Sequence, residues 1–282
     1  MEKTPTMDKI NLGIYEKALP NKLSIEEKLR LAKEIGFDQL EISIDESDEK
    51  LNRLYNGSIK NVKKAQIDSG MRIRTMCLSG HRKYPFGSLN PNLRKKSMDI
   101  MKKAIEFCDY NSIKVIQLAG YDVYYEDSNS DTEKYFIENL SKAVDYAAKY
   151  GLILAFETME TEFMDTVEKS MKYVKLIDSP YLGIYPDIGN LKNAAVKYDI
   201  DVVNDLKKGQ GHIFAAHLKE TKPGVYRDMT FGSGGHTEYD RCIEELKNQK
   251  VAIYTGEFWD HGEENYKEII KDSYEFLTDK LN

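Results

Sequence analysis

The stretch ILAFETMETEFMDTVEKSMKYVKLIDSPYLGIYPD, residues 153–187, decides the fold. It opens on the apolar run ILAFE and closes on LGIYPD, with a helical pattern between them. A run that is apolar at every position reads as a strand buried on both faces, the mark of a parallel sheet. Strand, helix and strand in that order make a right-handed βαβ unit. Each run ends on a carboxylate, Glu157 and Asp187, and the pattern recurs as IFAAH ending at His217 and AIYTGE ending at Glu257. These four residues are spaced about thirty, thirty and forty apart, close to one strand-plus-helix unit of a β/α barrel.

Strand parity points the same way. Alternate residues face opposite sides of a strand, so each ligand-type residue shares a face with those two and four before it. The columns are Ile153, Ala155, Glu157; Gly183, Tyr185, Asp187; Ile213, Ala215, His217; and Ile253, Thr255, Glu257. Mostly small or branched residues lie below each polar end, as a filled barrel interior requires. The opposite column carries Leu154, Phe156, Ile184 and Tyr254, suited to covering helices.

Working outward, strand-like runs fall at 11–16, 39–44, 73–79, 115–120, 153–158, 182–187, 213–220 and 252–258. Helical patterns fall at 25–35, 59–69, 93–109, 132–150, 164–177, 201–208, 239–248 and 263–281. Eight of each predict one α/β domain over 1–282, a single (β/α)8 TIM barrel, with 1–9 as an N-terminal extension. The longer loops, 79–92, 121–131 and 221–238, all follow strand C-terminal ends, the catalytic face of a barrel.

Composition excludes several classes. With 41 basic against 47 acidic residues the chain of 282 carries a formal charge of −6, which argues against general nucleic-acid binding. No stretch approaches the roughly 18 apolar residues of a membrane span, and MEKTPTMDK has no signal-peptide core, so a cytoplasmic location is expected. Cys77, Cys108 and Cys242 have no CxxC spacing and read as buried reduced thiols.

Glu157, Asp187, His217 and Glu257 together offer three carboxylates and one imidazole, with no thiolate. That donor set suits one divalent ion, Zn²⁺ or Mn²⁺ first and Co²⁺ or Mg²⁺ as alternatives, and disfavours a closed structural zinc site. Two coordination positions then remain for adjacent oxygens of a 2-ketose, whose enediolate, formed by loss of the C3 proton, the ion would stabilise. Glu157 and Glu257, on strands five and eight, are expected to face each other across the ion and to serve as the acid/base pair that inversion at carbon requires. Tyr15, Glu16 and Lys17 end the first strand and are candidates for the pocket, with Glu160 and Asn190 as further substrate contacts. His212 sits at the wrong end of its strand, and His236 and His261 read as loop residues. Two basic clusters would hold a phosphate: His81, Arg82 and Lys83 after strand three, and Lys219, Lys222 and Arg227 after strand seven. The turn FGSGG at 231–235 would offer backbone N–H groups to an anion.

Five longer strings carry a resemblance: GIYEKALP at 13–20, MCLSGHRKYPFGS at 76–88, VIQLAGYDVYY at 115–125, YPDIGNL at 185–191 and HLKETKPG at 217–224. Over about 11–277 the chain resembles the L-ribulose-5-phosphate 3-epimerase (L-xylulose-5-phosphate 3-epimerase) family of pentose and L-ascorbate catabolism, one of the xylose-isomerase-like barrels. The resemblance implies a 3-epimerase of sugar phosphates, with Glu157, Asp187, His217 and Glu257 as metal ligands, and a homodimer. Related epimerases of free ketoses often have a histidine where Asn190 stands and an arginine near the position of Lys222, which favours the phosphate-using branch. The alternatives are a hexulose-6-phosphate or hydroxypyruvate isomerase, a free-ketose 3-epimerase, a non-catalytic metal-stabilised binding protein and, remotely, an endonuclease IV-like nuclease. The last needs several more histidines at strand ends than this chain supplies.

Overall fold

A computed structural model describes residues 10–55 and 57–282, so the expected extension at 1–9 lies outside the described residues. Eight parallel strands follow one another: β1 Asn11–Tyr15, β2 Gln39–Ser43, β3 Arg72–Leu78, β4 Val115–Ala119, β5 Ile153–Glu157, β6 Leu182–Tyr185, β7 Ala216–Leu218 and β8 Ile253–Gly256. Each pairs with its sequence neighbour, and β1 pairs with β8. Between β6 and β7 the ring closes through isolated bridges, Ile184 with Ile213 and Asp187 with His217.

That last seam explains why β6 and β7 are shorter than their apolar runs. Pro186 has no N–H to give a neighbouring strand, so β6 stops at Tyr185 and only the Pro186 carbonyl takes part, accepting His217 N–H at 2.9 Å. Below it Gly183 faces Phe214 so closely that a Cβ would stand 2.3 Å from the ring, and only glycine leaves room for the two strands to approach.

Ten α-helices are present among the described residues: α1 Ile25–Ile35, α2 Asp48–Asn52, α3 Ser58–Ser69, α4 Pro91–Asn111, α5 Ser130–Ala148, α6 Val167–Ile177, α7 Ile188–Tyr198, α8 Val202–Lys207, α9 Tyr239–Asn248 and α10 Tyr266–Leu281. Two were not expected from the sequence. Helix α2 is a single turn, and α7 opens on Ile188-Gly189-Asn190, whose glycine and asparagine are poor helix formers. What starts α7 is Asp187, whose Oδ1 accepts Asn190 N–H at 2.9 Å as an N-cap. One residue just past the strand therefore begins a helix and turns Oδ2 toward the barrel mouth, where Lys219 meets it.

A large apolar layer, including Leu40, Ile116, Phe156, Ile184 and Tyr254, fills the space between strands and helices. A smaller one, Val115, Ala155, Tyr185 and Ala215, plugs the barrel interior. The three cysteines are free and buried.

His81 belongs to this scaffold and not to the pocket. The short 3₁₀ turn Ser79–Arg82 after β3 turns its ring inward against Phe86, centroids 4.5 Å apart, with Nε2 3.2 Å from the Ser97 carbonyl. Burial pushes its pKa from 6.5 down to about 4. Because the folded value is depressed, the unfolded chain takes up the proton first. The contribution is intact above pH 6.5 and is lost as pH falls toward 4. From pH 7 to pH 5 this group should cost about 2 kcal/mol of stability. Urea unfolding of His81→Gln at both pH values should lack that part of the acid sensitivity; an unchanged pH slope would refute it.

Candidate metal centre and active site

Four consecutive strands deliver their C-terminal polar residues to one point. Glu157, Asp187, His217 and Glu257 are all buried, and one donor atom from each lies within 4.8 Å of all the others. His217 Nδ1 stands 3.1 Å from Glu257, 3.6 Å from Glu157 and 4.0 Å from Asp187. Its Nε2 points the other way, 2.6 Å from Glu41 of β2. Lys219, two residues beyond His217 and so on the same face, places its ammonium 2.6 Å from Asp187 and 3.3 Å from Glu257.

Three carboxylates this close and this dry cannot all ionise without positive charge beside them. Burial, with Glu257 and Glu157 adding to it and Lys219 opposing it, pushes the Asp187 carboxyl up to about 8. Glu157 is raised too, by burial and then by Glu257. For Glu257 burial acts upward as well, but Lys219 and His217 outweigh it and hold it well below the usual carboxylate range. Burial would lower the His217 pKa, yet Glu41 and Glu257 hold it well above the ordinary histidine value.

The cluster fits a divalent ion. Oxygen and imidazole donors gathered this closely could hold one divalent ion. Asp187 Oδ2 and Glu257 Oε2 are buried and accept no well-aligned hydrogen bond, which leaves a lone pair on each for a cation. Protonation of these groups at low pH would oppose binding, because each ligand must be free of its proton.

The rest of the mouth is built from the other half of the barrel. Tyr15, Cys77 and Ala119, at the ends of β1, β3 and β4, line the cavity beside the donors. Tyr15 O–H reaches Cys77 Sγ at 3.7 Å and stands edge-on to Trp259. Of the four basic side chains lining the cavity, three face carboxylates: Lys17 faces Asp45 at 2.7 Å, Lys219 faces Asp187, and Arg227 faces Glu160 at 3.4 Å. Arg82 faces none among the described residues. It lies over the Tyr124 ring, 4.7 Å from its centroid, with Nε buried and unpartnered. A second hollow opens outward past Lys17, Ser79 and Arg82 toward Lys83 and Tyr125.

Several expected positions therefore meet here, namely Tyr15, Lys17, Arg82, Glu160, Asn190, Lys219 and Arg227. Asn190 also anchors the site by donating Nδ2–H to the Thr158 carbonyl at 2.8 Å. Glu160 accepts the Tyr124 hydroxyl at 3.0 Å. Three expectations fail. His81 is turned into the core, Lys222 is exposed and off the cavity, and Glu16 is buried in an ion cluster with Lys28, Lys50 and Arg53. Nor does the turn 231–235 line the cavity. Sequence reading missed Trp259 and Tyr226, which lie in the cavity wall, and Glu41 beneath it. Trp259 had one available signal: it stands two residues past Glu257, on the same strand end.

The sequence matches the xylose isomerase-like TIM barrel family over residues 29–280. It is 41% identical over 266 residues to L-ribulose-5-phosphate 3-epimerase UlaE of Shigella boydii serotype 18, covering 93% of this chain and 92% of that one. Against the protein of the same name from Escherichia coli strain SE11 the identity is 42% over 253 residues, covering 89% and 87%. The chain belongs to the L-ribulose-5-phosphate 3-epimerase family. It is an isomerase of the carbohydrate-epimerase type. Among solved structures, 3-keto-D-glucoside 4-epimerase YcjR from E. coli superposes with a TM-score of 0.77 at 20% identity, covering 96% of this chain and all 100% of that one. An L-ribulose 3-epimerase superposes at 0.74 with 15% identity, covering 96% and 94%. At such identities the likeness is one of fold.

The metal assignment has a direct test. Asp187→Asn in this epimerase should remove most of the bound divalent ion found by elemental analysis of the purified protein, and in the native protein binding should weaken as falling pH protonates the ligands. Full occupancy in that variant would sink the assignment.

Proposed function

We propose that this epimerase interconverts L-ribulose 5-phosphate and L-xylulose 5-phosphate by removing the proton at C3 and returning one to the opposite face. The observation that carries the reading is the placement of Glu157 and Glu257 at the two ends of the donor arc, on β5 and β8 with β6 and β7 between them. A divalent zinc or manganese ion held by Glu157, Asp187, His217 and Glu257 would supply Lewis-acid stabilisation of the negative charge that develops on substrate oxygens. The protein's own groups do the rest. Glu157 and Glu257 are both buried carboxylates at the mouth, and Glu257 has the Lys219 ammonium 3.3 Å away, so the two sit in unlike surroundings. Two carboxyls whose environments push their proton affinities apart are suited to opposite roles in one turnover, exchanged in the reverse direction. Tyr15 and Trp259 give the cavity an aromatic wall beside the donors.

The phosphate belongs with Arg82. Among the described residues it forms no ion pair, and the hollow beyond it is lined by Lys83 and by Lys17, the latter paired with Asp45, together with Glu46. A guanidinium with free donors grips phosphate through two hydrogen bonds. Binding energy from a remote phosphate can then be used to align the reacting carbon.

Two experiments test these assignments. In D₂O, NMR of L-ribulose 5-phosphate should show C3 proton exchange and epimerisation with the native enzyme. Glu157→Gln and Glu257→Gln proteins that retain the ion should epimerise at least roughly 100-fold more slowly in both directions. One of them should still exchange the C3 proton from a single epimer, because half of the route survives. A Glu257→Gln enzyme working at the native rate would overturn the pairing. For the phosphate, Arg82→Gln should lower kcat/KM for L-ribulose 5-phosphate by about 10–100-fold and leave that for free L-ribulose and the metal content unchanged. Lys222 is exposed and off the cavity, and Lys222→Ala should leave all three unchanged. Equal kcat/KM of the native enzyme on the phosphorylated and free sugars would refute the phosphate reading.

A further inference from the structure

Glu41 sits in the middle of β2, fully buried, and does not line the cavity. A carboxylate inside a barrel is costly unless it is paired and hydrogen-bonded. Here both oxygens are engaged. Oε1 stands 2.6 Å from His217 Nε2, while Oε2 accepts the Thr75 hydroxyl at 2.7 Å and the Tyr185 hydroxyl at 2.8 Å. Tyr185 is held in turn by Thr255 at 3.0 Å. Partners from β3, β6 and β7 thus meet at one side chain on β2. The strand pairing is adjusted to allow it: the β2–β3 register shifts beside Glu41, skipping the exposed Arg74 so that Thr75 lies opposite.

An imidazole has two distinct nitrogens, and the hydrogen bond made by one decides what the other can do. Nδ1 of His217 faces the three carboxylates of the site, and Nε2 faces Glu41. Gln117 also approaches the ring, with its Nε2 3.1 Å from Nδ1 and 3.3 Å from Nε2 of the imidazole. An atom nearly equidistant from both nitrogens lies along the lone pair of neither. Glu41 is therefore the group that addresses Nε2 in line.

We infer that Glu41 is a positioning residue of the metal centre: by accepting Nε2–H it fixes His217 in the tautomer and orientation that turn the Nδ1 lone pair toward the ion. The inference rests on reading Glu157, Asp187, His217 and Glu257 as ligands. Glu41 touches neither ion nor substrate; it acts through the imidazole. A Glu41→Gln side chain has the same size but the wrong chemistry. With Thr75 and Tyr185 donating to its carbonyl, its amide N–H turns to His217 and favours the proton on Nδ1.

The test is Zn²⁺ affinity of the full-length protein by chelator competition. Glu41→Gln should weaken it by about 10–100-fold. In a His217→Ala background the same change should add less than about twofold, because a residue that acts through His217 has nothing left to act on. Nitrogen NMR of histidine-labelled, zinc-loaded enzyme should show a protonated Nε2 at His217 that Glu41→Gln loses. If Glu41→Gln unfolds in chelator at the assay temperature, Tyr185→Phe, which removes one donor to Glu41, should shift affinity in the same direction by a smaller factor. Native affinity in these variants, or effects of Glu41→Gln and His217→Ala that simply multiply, would overturn the inference. Asp187→Asn separates the two readings. If it loses zinc while Glu41→Gln keeps it, only the role of Glu41 falls; if Asp187→Asn keeps zinc, the ligand set itself is wrong.

Discussion

Three carboxylates held within 4.8 Å of one another and largely shielded from water are the constraint on which the molecule turns. Left alone they repel, and burial withholds the solvent that would screen them. The chain answers with fixed cationic partners, Lys219 on the same strand end as His217, and with a frame too rigid to let the carboxylates drift apart. Parallel strands hydrogen-bonded all round the ring supply that frame, and each donor sits at or within two residues of a strand end and not on a mobile loop. A site that would spring open on a flexible scaffold stays assembled on this one.

The donors occupy β5 to β8 without a gap, and this divides the mouth into two halves. One half is committed to charge. The other, β1 to β4 with the loops that follow them, carries Tyr15, Cys77, Ala119 and Arg82 and is free to shape the cavity. Solved epimerases of D-allulose and of D-psicose share the fold at TM-scores of 0.76 and 0.78 with only 14% identity. Wide sequence change under one fold is what such a division permits. Loops on the uncommitted half can vary in length and charge without disturbing the carboxylate cluster.

Much of this was legible in the chain because the signals were local. Buried parallel strands write themselves as unbroken apolar runs, and the period of the β/α unit spaced Glu157, Asp187, His217 and Glu257 evenly enough to be seen together. The failures share a cause, which is contact between residues far apart in sequence. Glu41 looks like any polar residue in QLEIS; its partner lies 176 residues away. Helix α7 was hidden because its start depends on the Asp187 cap and not on the propensity of Ile188-Gly189-Asn190. His81 stands beside Arg82 and Lys83 in a string that reads as a basic cluster, yet the tight turn after β3 sends alternate side chains to opposite sides, one into the Phe86 pocket and the next into the cavity. Charge patterns report composition at a place in the chain; they do not report direction.

The polar interior beneath the site follows from the same electrostatics. A barrel of this kind is commonly filled with branched apolar side chains, and here Val115, Ala155, Tyr185 and Ala215 form an apolar cluster of that sort. Beside it stand Glu41, Thr75, Gln117 and Thr255, all buried, with Thr75 in register with Val115 and Gln117 with Ala155. An apolar layer there would pack as well, but it would leave His217 Nε2 without its Glu41 partner. Hydroxyls and one carboxylate, each tied to the next, give a fixed set of dipoles that need no rearrangement when charge at the mouth changes. The cost is a layer whose polar groups need partners to be tolerated, and among the described residues Gln117 Oε1 is buried without a hydrogen-bond partner. Stability has been given up in the barrel's centre for the orientation of one imidazole ring, and the closed ring of strands is what makes that loss bearable.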